Sequence, residues 1–196
     1  PAIPPQAASQ FENSIPDNSL ILISKPSYGQ LTTKVLLKSP LVWENPYYLL
    51  GRLCNSAQCL LNRPEDLSRV TPGKDSFEDS LLISGWSAKE TTNRWATGNE
   101  STLRLVSKDS RYRQLAFEAQ ALSEPQTVTV YFDEKLLGTQ EISTQWSEYT
   151  FSIPEGVSKD VHKIRFTYAH TYKPSEVLKN QDMRNLAVNF RWIGIQ

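Results

Sequence analysis

Alternation of apolar and polar residues with a period of two dominates the second part of the sequence. From Ser80 onward such segments recur roughly every ten residues and are separated by short polar turns. Eight segments are predicted as strands: Leu81–Ser84, Ser101–Val106, Gln114–Ala121, Gln126–Phe132, Leu136–Ile142, Glu148–Ile153, His162–Ala169 and Asn185–Ile195. Many short strands at even spacing are typical of two packed sheets. Residues 80–196 are therefore expected to form a mainly β domain, a jelly-roll β-sandwich.

The residues before the sandwich have a different pattern. Residues 1–18 contain four prolines among small polar residues, which is the composition of an extended linker. Residues 19–79 mix strand and helix signals, so we expect a small mixed α/β extension. Its predicted elements are strands at Ser19–Ser24 and Thr32–Lys38, a helix from Asn45 to Cys54, and a short helical turn at Pro64–Leu67. The polar segment Thr71–Asp79, with Pro72-Gly73, is the expected boundary.

The helix predicted from Asn45 rests on three local signals. Asn45 is a suitable N-cap, and Pro46 suits the first helical position. Leu49, Leu50 and Leu53 form an apolar stripe at helical spacing.

The overall charge and the length of the apolar runs give no signal for nucleic-acid binding or for a membrane-spanning helix. The chain has 196 residues, and its 21 basic and 21 acidic side chains balance. No overall basic field favours nucleic acid or an anionic membrane surface. No apolar run approaches the roughly 20 residues that a membrane helix needs. Because the chain begins at Pro1 rather than Met, we expect it to be a piece of a longer protein.

Two cysteines, Cys54 and Cys59, are separated by four residues. One interpretation is a disulfide that closes a short loop, which is typical of an oxidising compartment. The other is a pair of neighbouring thiols in a cytosolic protein. A zinc site is not expected, because two further ligands at useful spacing are missing.

Residues typical of catalysis are scarce. The two histidines, His162 and His170, belong to no metal-binding pattern, and the sequence has no nucleophile elbow, P-loop or dinucleotide-binding glycine motif. Paired acids lie in predicted loops, where they are usually only solvated. We therefore expect no catalytic residues, no metal and no cofactor in this chain, and we expect it not to be an enzyme.

The segment Gly85–Trp95 concentrates aromatic and charged side chains beside a strand. Trp86 and Trp95 could stack on the apolar faces of sugar rings, while Glu90, Arg94 and their neighbours supply hydrogen bonds to hydroxyl groups. The structural alternative is a wrapped loop, in which the indoles cap the open end of the core and Arg94 pairs with an acid.

A second polar cluster precedes the last strand. Asp182 and Arg184 lie two residues apart, so a carboxylate and a guanidinium could fix a loop or grip a ligand at the edge of the sandwich. Together with Gly85–Trp95, this cluster is expected to form one ligand edge. The candidate binding residues are Trp86, Glu90, Arg94, Trp95, Asp182 and Arg184.

Residues 81–196 resemble a bacterial family. The matching pieces are Gly85-Trp86, Glu90, Arg94-Trp95, Ser101–Leu105, Val128–Tyr131, Leu137-Gly138, Trp146–Phe151, Pro174–Glu176, Asp182 and Arg184–Val188. In order and spacing they resemble the galactose-binding-like β-sandwich at the C-terminus of bacterial membrane proteins, notably glycosyltransferases of the protein-mannosyltransferase type. One departure is Asp133-Glu134-Lys135 at a hairpin where that family often has Asn-Gly.

The resemblance implies a non-catalytic accessory domain on the periplasmic or other extracytoplasmic side, tethered to the inner membrane by the membrane-embedded portion of the same protein. Its implied ligand is a glycan or a lipid-linked saccharide, and nucleic acid is not an expected partner. Two rival hypotheses stay open. One is a protein–protein interaction module of a cell-envelope or secretion complex. The other is a hydrolase assembled from scattered residues such as His170, Glu176 and Asp182.

Overall fold

The computed structural model describes residues 19–24, 43–44, 46, 48–52, 54, 56–63, 66–72, 81–88 and 90–196. The chain divides into two compact units, residues 1–65 and 66–196.

The described residues of the first unit form a three-stranded antiparallel sheet and a short helix. Strands β1 (Leu20–Ser24), β2 (Trp43–Glu44) and β3 (Tyr48–Arg52) pair in the order β1-β3-β2. Helix α1 (Ala57–Leu61) begins after Ser56, whose hydroxyl accepts a hydrogen bond from the Cys59 amide at 3.1 Å. Cys54 and Cys59 form a disulfide, which confirms the first of the two interpretations of these cysteines.

Two outcomes concern the predicted extension. The strand at Ser19–Ser24 is confirmed by β1. The helix from Asn45 to Cys54 is wrong, because Tyr48–Arg52 is a strand that pairs with β1 on one side and with β2 on the other. The leucine spacing that suggested a helix also fits a strand, and two rows of backbone hydrogen bonds decide between them.

Other predictions for this region fall largely outside the described residues. That is the case for the linker at 1–18, the strand at Thr32–Lys38, and residues 73–79 of the predicted boundary loop. Within the helical turn predicted at Pro64–Leu67, only Asp66 and Leu67 are described, and neither is helical.

Among the described residues of the second unit, the chain forms ten strands and one short helix. The strands predicted from the alternating pattern are all confirmed to within one residue at each end, whereas β4, β6 and helix α2 were not predicted. The elements are β4 (Arg69–Val70), β5 (Leu82–Ser84), β6 (Arg94–Thr97), β7 (Glu100–Val106), β8 (Gln114–Ala121), β9 (Gln126–Phe132), β10 (Lys135–Ile142), β11 (Ser147–Ser152), β12 (Val161–Tyr168), α2 (Pro174–Val177) and β13 (Leu186–Ile195).

These strands form two antiparallel sheets that pack face to face. One has the order β10-β9-β12-β7-β5, and the other has the order β11-β8-β13-β4 with β6 also paired to β13. Three fully buried rings join the sheets: Phe166 of the first lies 5.3 Å from Phe117 and 5.1 Å from Phe190 of the second, between ring centroids. The predicted fold class, a mainly β protein with a β-sandwich, is confirmed.

Strand β4 adds residues to the sandwich unit on the N-terminal side of Ser80, where the sequence pattern places its start. Val70 pairs with Ile193, and the Ile195 amide donates to the Ser68 carbonyl at 2.9 Å. Leu67 and Val70 are fully buried.

The predicted hairpin tip at Asp133-Glu134-Lys135 is confirmed as a two-residue turn. Phe132 pairs with Lys135, and both intervening residues have positive φ, 47° at Asp133 and 64° at Glu134. This is the geometry of the hairpin turns that usually carry glycine or asparagine. Here the Asp133 carboxylate accepts a hydrogen bond from the Lys163 amide at 2.8 Å, which anchors the turn to β12.

Candidate ligand-binding edge

The loop that carries Trp86 and Glu90 starts at a corner made by Gly85. There the chain leaves β5 in one sheet and turns toward β6 beside the other. Gly85 has a φ of 76°, and a Cβ at this position would lie 2.0 Å from the Glu100 carbonyl oxygen. The Thr97 amide donates to the Gly85 carbonyl at 2.8 Å, and Trp86 forms a bridge with Ala96. The corner therefore sets the direction in which the loop leaves the sandwich.

Both tryptophans of this segment pack on the sandwich. The Trp86 indole N–H donates to the Thr102 carbonyl at 2.8 Å, and its ring meets Phe190 edge to face at 5.5 Å. Trp95 lies opposite Asn189 of β13 and is only 8% exposed. Trp86 is half-buried and so keeps part of its ring at the surface, whereas Trp95 offers little area for stacking on a sugar.

Arg94 is also buried. It lies opposite Phe190 in the pairing of β6 with β13. The Arg94 side chain therefore has little access to a ligand on the surface.

Three charged residues from the two predicted segments meet at the surface. Arg184 pairs with Asp182 at 2.6 Å and with Glu90, 94 residues away in sequence, at 3.3 Å. The Arg184 backbone amide also donates to the Asp182 carboxylate at 3.0 Å. All three side chains are partly exposed. We call this group the Glu90–Asp182–Arg184 cluster.

The ion pair between Asp182 and Arg184 favours the charged form of both residues. Hydrogen bonds from Arg184 to the Asp182 carboxylate hold the pKa of Asp182 below its usual value. The same hydrogen bonds, with a smaller contribution from Glu90, raise the pKa of Arg184. The guanidinium uses Nε and Nη2 in these contacts, and its Nη1 makes no hydrogen bond to a described residue. It can therefore donate to an incoming group.

A second Asp-x-Arg motif shows what is specific to the first. Asp109 accepts from the backbone and side chain of Arg111, in the same arrangement as Asp182 and Arg184. The side-chain hydrogen bond from Arg111 lowers the pKa of Asp109 to about 2. The described contacts of Arg111 are all with Asp109, and its side chain is almost fully exposed. The Asp-x-Arg motif by itself therefore stabilises only its own loop. Of the two arginines, Arg184 also contacts a second loop that is distant in sequence.

The structure adds a neighbouring polar group that sequence reasoning missed. Tyr172 exchanges two backbone hydrogen bonds of 2.8 Å with Leu186, at the start of β13. Its hydroxyl donates to the Glu124 carboxylate, which raises the pKa of Tyr172. The His170 ring meets the Tyr172 ring at 4.7 Å, and the His170 carbonyl accepts from the buried Gln126 side chain at 2.5 Å. These residues come from two loops and share no sequence motif that would have identified them.

The residues of the hydrolase hypothesis have other partners. Glu176 pairs with Lys173 at 3.1 Å, and Asp182 pairs with Arg184. In the part of the chain that the structure describes, no hydrogen bond joins His170 to Glu176 or Asp182.

His162 does lie beside a carboxylate, but both of its ring nitrogens are occupied. Nδ1 contacts Asp133 at 2.7 Å, and Nε2 contacts the Ser158 carbonyl at 3.0 Å. The ring is buried and stacks on Phe132 at 4.7 Å. It therefore has no nitrogen available to accept a proton from a substrate.

Two further observations concern only the part of the chain that the structure describes. No helix there is long and apolar enough to cross a bilayer. No group of three or more histidine, cysteine, aspartate or glutamate side chains there could hold a metal ion.

Comparisons with known proteins show no family for this chain. No family model matches the chain, and no curated protein matches it. Among solved structures, the chain is similar to the C-terminal family-6 carbohydrate-binding module of a laminarinase from Zobellia galactanivorans, at 12% identity and a TM-score of 0.41, covering 65% of this chain and 97% of that one. It is also similar to a family-6 module of lichenase 5A from Cellvibrio mixtus, solved in complex with cellotriose, at 12% identity and a TM-score of 0.40, covering 67% of this chain and 98% of that one. At these TM-scores the similarity supports no conclusion about this chain.

Proposed function

We propose that this chain is a non-catalytic extracytoplasmic accessory domain that binds or positions a glycan, or a lipid-linked sugar, for a membrane-embedded glycosyltransferase within the same protein. The glycosyltransferase and the tether to the inner membrane come from the family resemblance of residues 81–196. The Cys54–Cys59 disulfide supports the extracytoplasmic side, since such bonds persist in oxidising compartments.

The observation that carries the proposal is the Glu90–Asp182–Arg184 cluster. It places two carboxylates and a guanidinium in fixed positions where two distant loops meet, with Trp86 half-buried in one of these loops. Sugar hydroxyls both donate and accept hydrogen bonds, so they suit carboxylate acceptors beside a guanidinium donor. The exposed part of the Trp86 ring supplies apolar area for a sugar face.

Titration with saccharides tests the proposal. A glycan array first identifies a bound saccharide, and calorimetry then compares the wild type with Arg184→Ala. We expect the variant to bind at least about tenfold more weakly, because it loses charge-assisted hydrogen bonds. Arg111→Ala is the matched control, since it removes the arginine of the other Asp-x-Arg motif and is expected to leave affinity unchanged.

The role of Trp95 needs a separate measurement. Trp95→Ala truncates a buried ring, which is expected to cost about 3 kcal/mol or more in the free energy of unfolding. A loss of saccharide binding in a folded Trp95→Ala protein would give Trp95 a binding role, while unfolding would assign it to the core. Failure of the wild type to bind any saccharide on the array would refute the proposed function.

An alternative function is a protein–protein interaction module of a cell-envelope or secretion complex. The observation in its favour lies in the first unit, where Leu20, Leu22 and Tyr48 are exposed. The pairing of Ser24 with Tyr48 puts these three side chains on one face of the small sheet. Cross-linking in the intact cell envelope, with Leu22→Lys as the variant, tests it. The alternative requires a cross-linked partner that the variant loses.

A further inference from the structure

The loop between β12 and β13 presents apolar side chains to solvent on both sides of a lysine. Val177 is 38% exposed, Leu178 is 54% exposed and Met183 is 66% exposed, and Lys179 lies between them in sequence. We call residues 173–184 the apolar loop. Single exposed apolar residues are ordinary on protein surfaces, but three within seven positions of one loop call for an explanation.

Internal hydrogen bonds hold the apolar loop in shape. The Ser175 amide donates to the Asp182 carbonyl at 2.9 Å, and the Leu178 amide donates to the Pro174 carbonyl at 2.7 Å. The Ser175 hydroxyl contacts the Met183 sulfur at 3.2 Å. Helix α2 forms one side of this closed loop. The exposure of its apolar side chains therefore accompanies a defined backbone structure.

Among the described residues, the acidic side chains of the apolar loop all form ion pairs, whereas one of its basic side chains does not. Its two acids are neutralised, Glu176 by Lys173 at 3.1 Å and Asp182 by Arg184 at 2.6 Å. Lys179 makes no ion pair with a described residue. The part of the loop that carries the exposed apolar side chains thus has a cation and no uncompensated acid.

We propose that the apolar loop docks on the interfacial region of a lipid bilayer with anionic headgroups. Val177, Leu178 and Met183 enter the boundary between headgroups and acyl chains, and the Lys179 ammonium stays among the phosphates. Three exposed apolar side chains that flank one unpaired cation in sequence, with both loop acids neutralised, complement such a surface.

The contact is weak by itself, because three partly exposed side chains and one lysine fall short of a stable anchor. A tether raises the effective concentration of the loop at the membrane and makes a weak contact sufficient. The inference rests on the proposed function only for the existence of this tether. Asp182 and Arg184 of the Glu90–Asp182–Arg184 cluster end the loop, so docking would bring the cluster near the bilayer surface, where a lipid-linked sugar lies.

The test measures partition of the full chain onto vesicles, without any saccharide. Vesicles of phosphatidylglycerol and phosphatidylethanolamine are compared with vesicles of phosphatidylcholine at low and physiological salt. The wild type is expected to partition onto the anionic vesicles, and its amide resonances from Val177 to Met183 are expected to shift most. The double variant Leu178→Ser with Met183→Ser should reduce the partition coefficient about tenfold.

Single variants separate the contributions. Leu178→Ser alone removes one apolar side chain that is 54% exposed and should reduce partition about threefold. Lys179→Gln should reduce it a few-fold and flatten its dependence on salt. Leu136→Ser is the matched control, because Leu136 is 61% exposed but lies in the β9–β10 hairpin. It should partition like the wild type.

Three results would overturn the inference. One is that the wild type partitions onto anionic vesicles no more than background, which would favour a protein partner as the occupant of the loop. Another is an equal loss in the Leu136→Ser control. The third is equal partition onto phosphatidylcholine, which would remove the role of anionic headgroups. Saccharide titration uses no lipid, so failure of docking and failure of the proposed function are separate observations.

Discussion

Gly85 is the residue at which the architecture tolerates no side chain. Its φ of 76° is unfavourable for other residues, and the atoms that a Cβ would meet belong to the backbone of Glu100 and Ser101. We expect Gly85→Ala to lower the free energy of unfolding by about 3 kcal/mol or more, since strain and overlap add.

A comparison with Gly98 separates the cost of backbone strain from the cost of steric overlap. It has a φ of 72°, but a Cβ there would meet no atom within 4 Å. Gly98→Ala should therefore cost only about 1 kcal/mol, from backbone strain alone. Urea unfolding of both variants measures the difference, and equal losses would show that the close approach of Gly85 to Glu100 does not matter.

His162 makes stability depend on pH. Its two ring nitrogens face acceptors, the Asp133 carboxylate and the Ser158 carbonyl, so only the protonated ring satisfies both. Burial alone would lower the pKa of His162, but these hydrogen bonds outweigh burial and the pKa lies above 6.5. Burial alone would raise the pKa of Asp133, but the hydrogen bonds to its carboxylate outweigh burial, and the pKa lies below 3.8.

The direction of the pH effect follows from these shifts. The contribution of His162 is complete below pH 6.5 and is lost as pH rises through the raised pKa, while that of Asp133 is lost as pH falls below 3.8. Because Asp133 is about half exposed, solvent screens the pair, and we expect the wild type to lose at most about 1 kcal/mol in the free energy of unfolding relative to His162→Gln between pH 5.5 and pH 8. Chemical unfolding at both pH values measures this, and a parallel change in the two proteins would contradict it.

At the scale of elements, helix α1 depends on its covalent and capping contacts. Five residues are too few for a stable isolated helix. The disulfide that closes Cys54 to Cys59 is worth about 2 kcal/mol in the chain-entropy model, which corresponds to about a 30-fold change in the opening equilibrium. We expect reduction to increase amide hydrogen exchange at Leu60 and Asn62, which donate to Ser56 and Gln58, by about this factor.

The sandwich supplies an internal reference for that experiment. Amides in the central strands β8 and β13 should exchange at the same rate before and after reduction. Unchanged exchange at Leu60 and Asn62 would mean that the disulfide does not stabilise the helix.

Elements with a strong local pattern were the predictable part of the fold. Leu115, Phe117 and Ala119 alternate along β8 and are all fully buried, and the pattern gave its ends correctly. Strands β4 and β6 are too short to show alternation, and they exist because β13 offers pairing positions for them. The error at Tyr48–Arg52 has the same origin, since strand partners distant in sequence override a local helical pattern.

At the scale of the molecule, the candidate site was only partly predictable. Both loops could be singled out by their aromatic and charged residues, but the contact between Glu90 and Arg184 requires knowing which strand ends adjoin. The burial of Arg94 and Trp95 depends on β6, which was not predicted. The group of Glu124, His170 and Tyr172 has no local signature at all.

The extent of the sandwich unit provides a prediction for the whole molecule. A chain that begins at Asp66 keeps β4, with its Val70–Ile193 pair and the guanidinium of Arg69 4.0 Å from the centre of the Trp192 ring. A chain that begins at Ser80 lacks these contacts and the buried side chains of Leu67 and Val70. We expect the shorter chain to be less stable by about 4 kcal/mol, from the loss of two buried aliphatic side chains. Urea unfolding of the two chains measures the difference, and residues 66–196 should unfold cooperatively in a single transition. Equal stability of the two chains would place the start of the sandwich at Ser80 and make β4 dispensable.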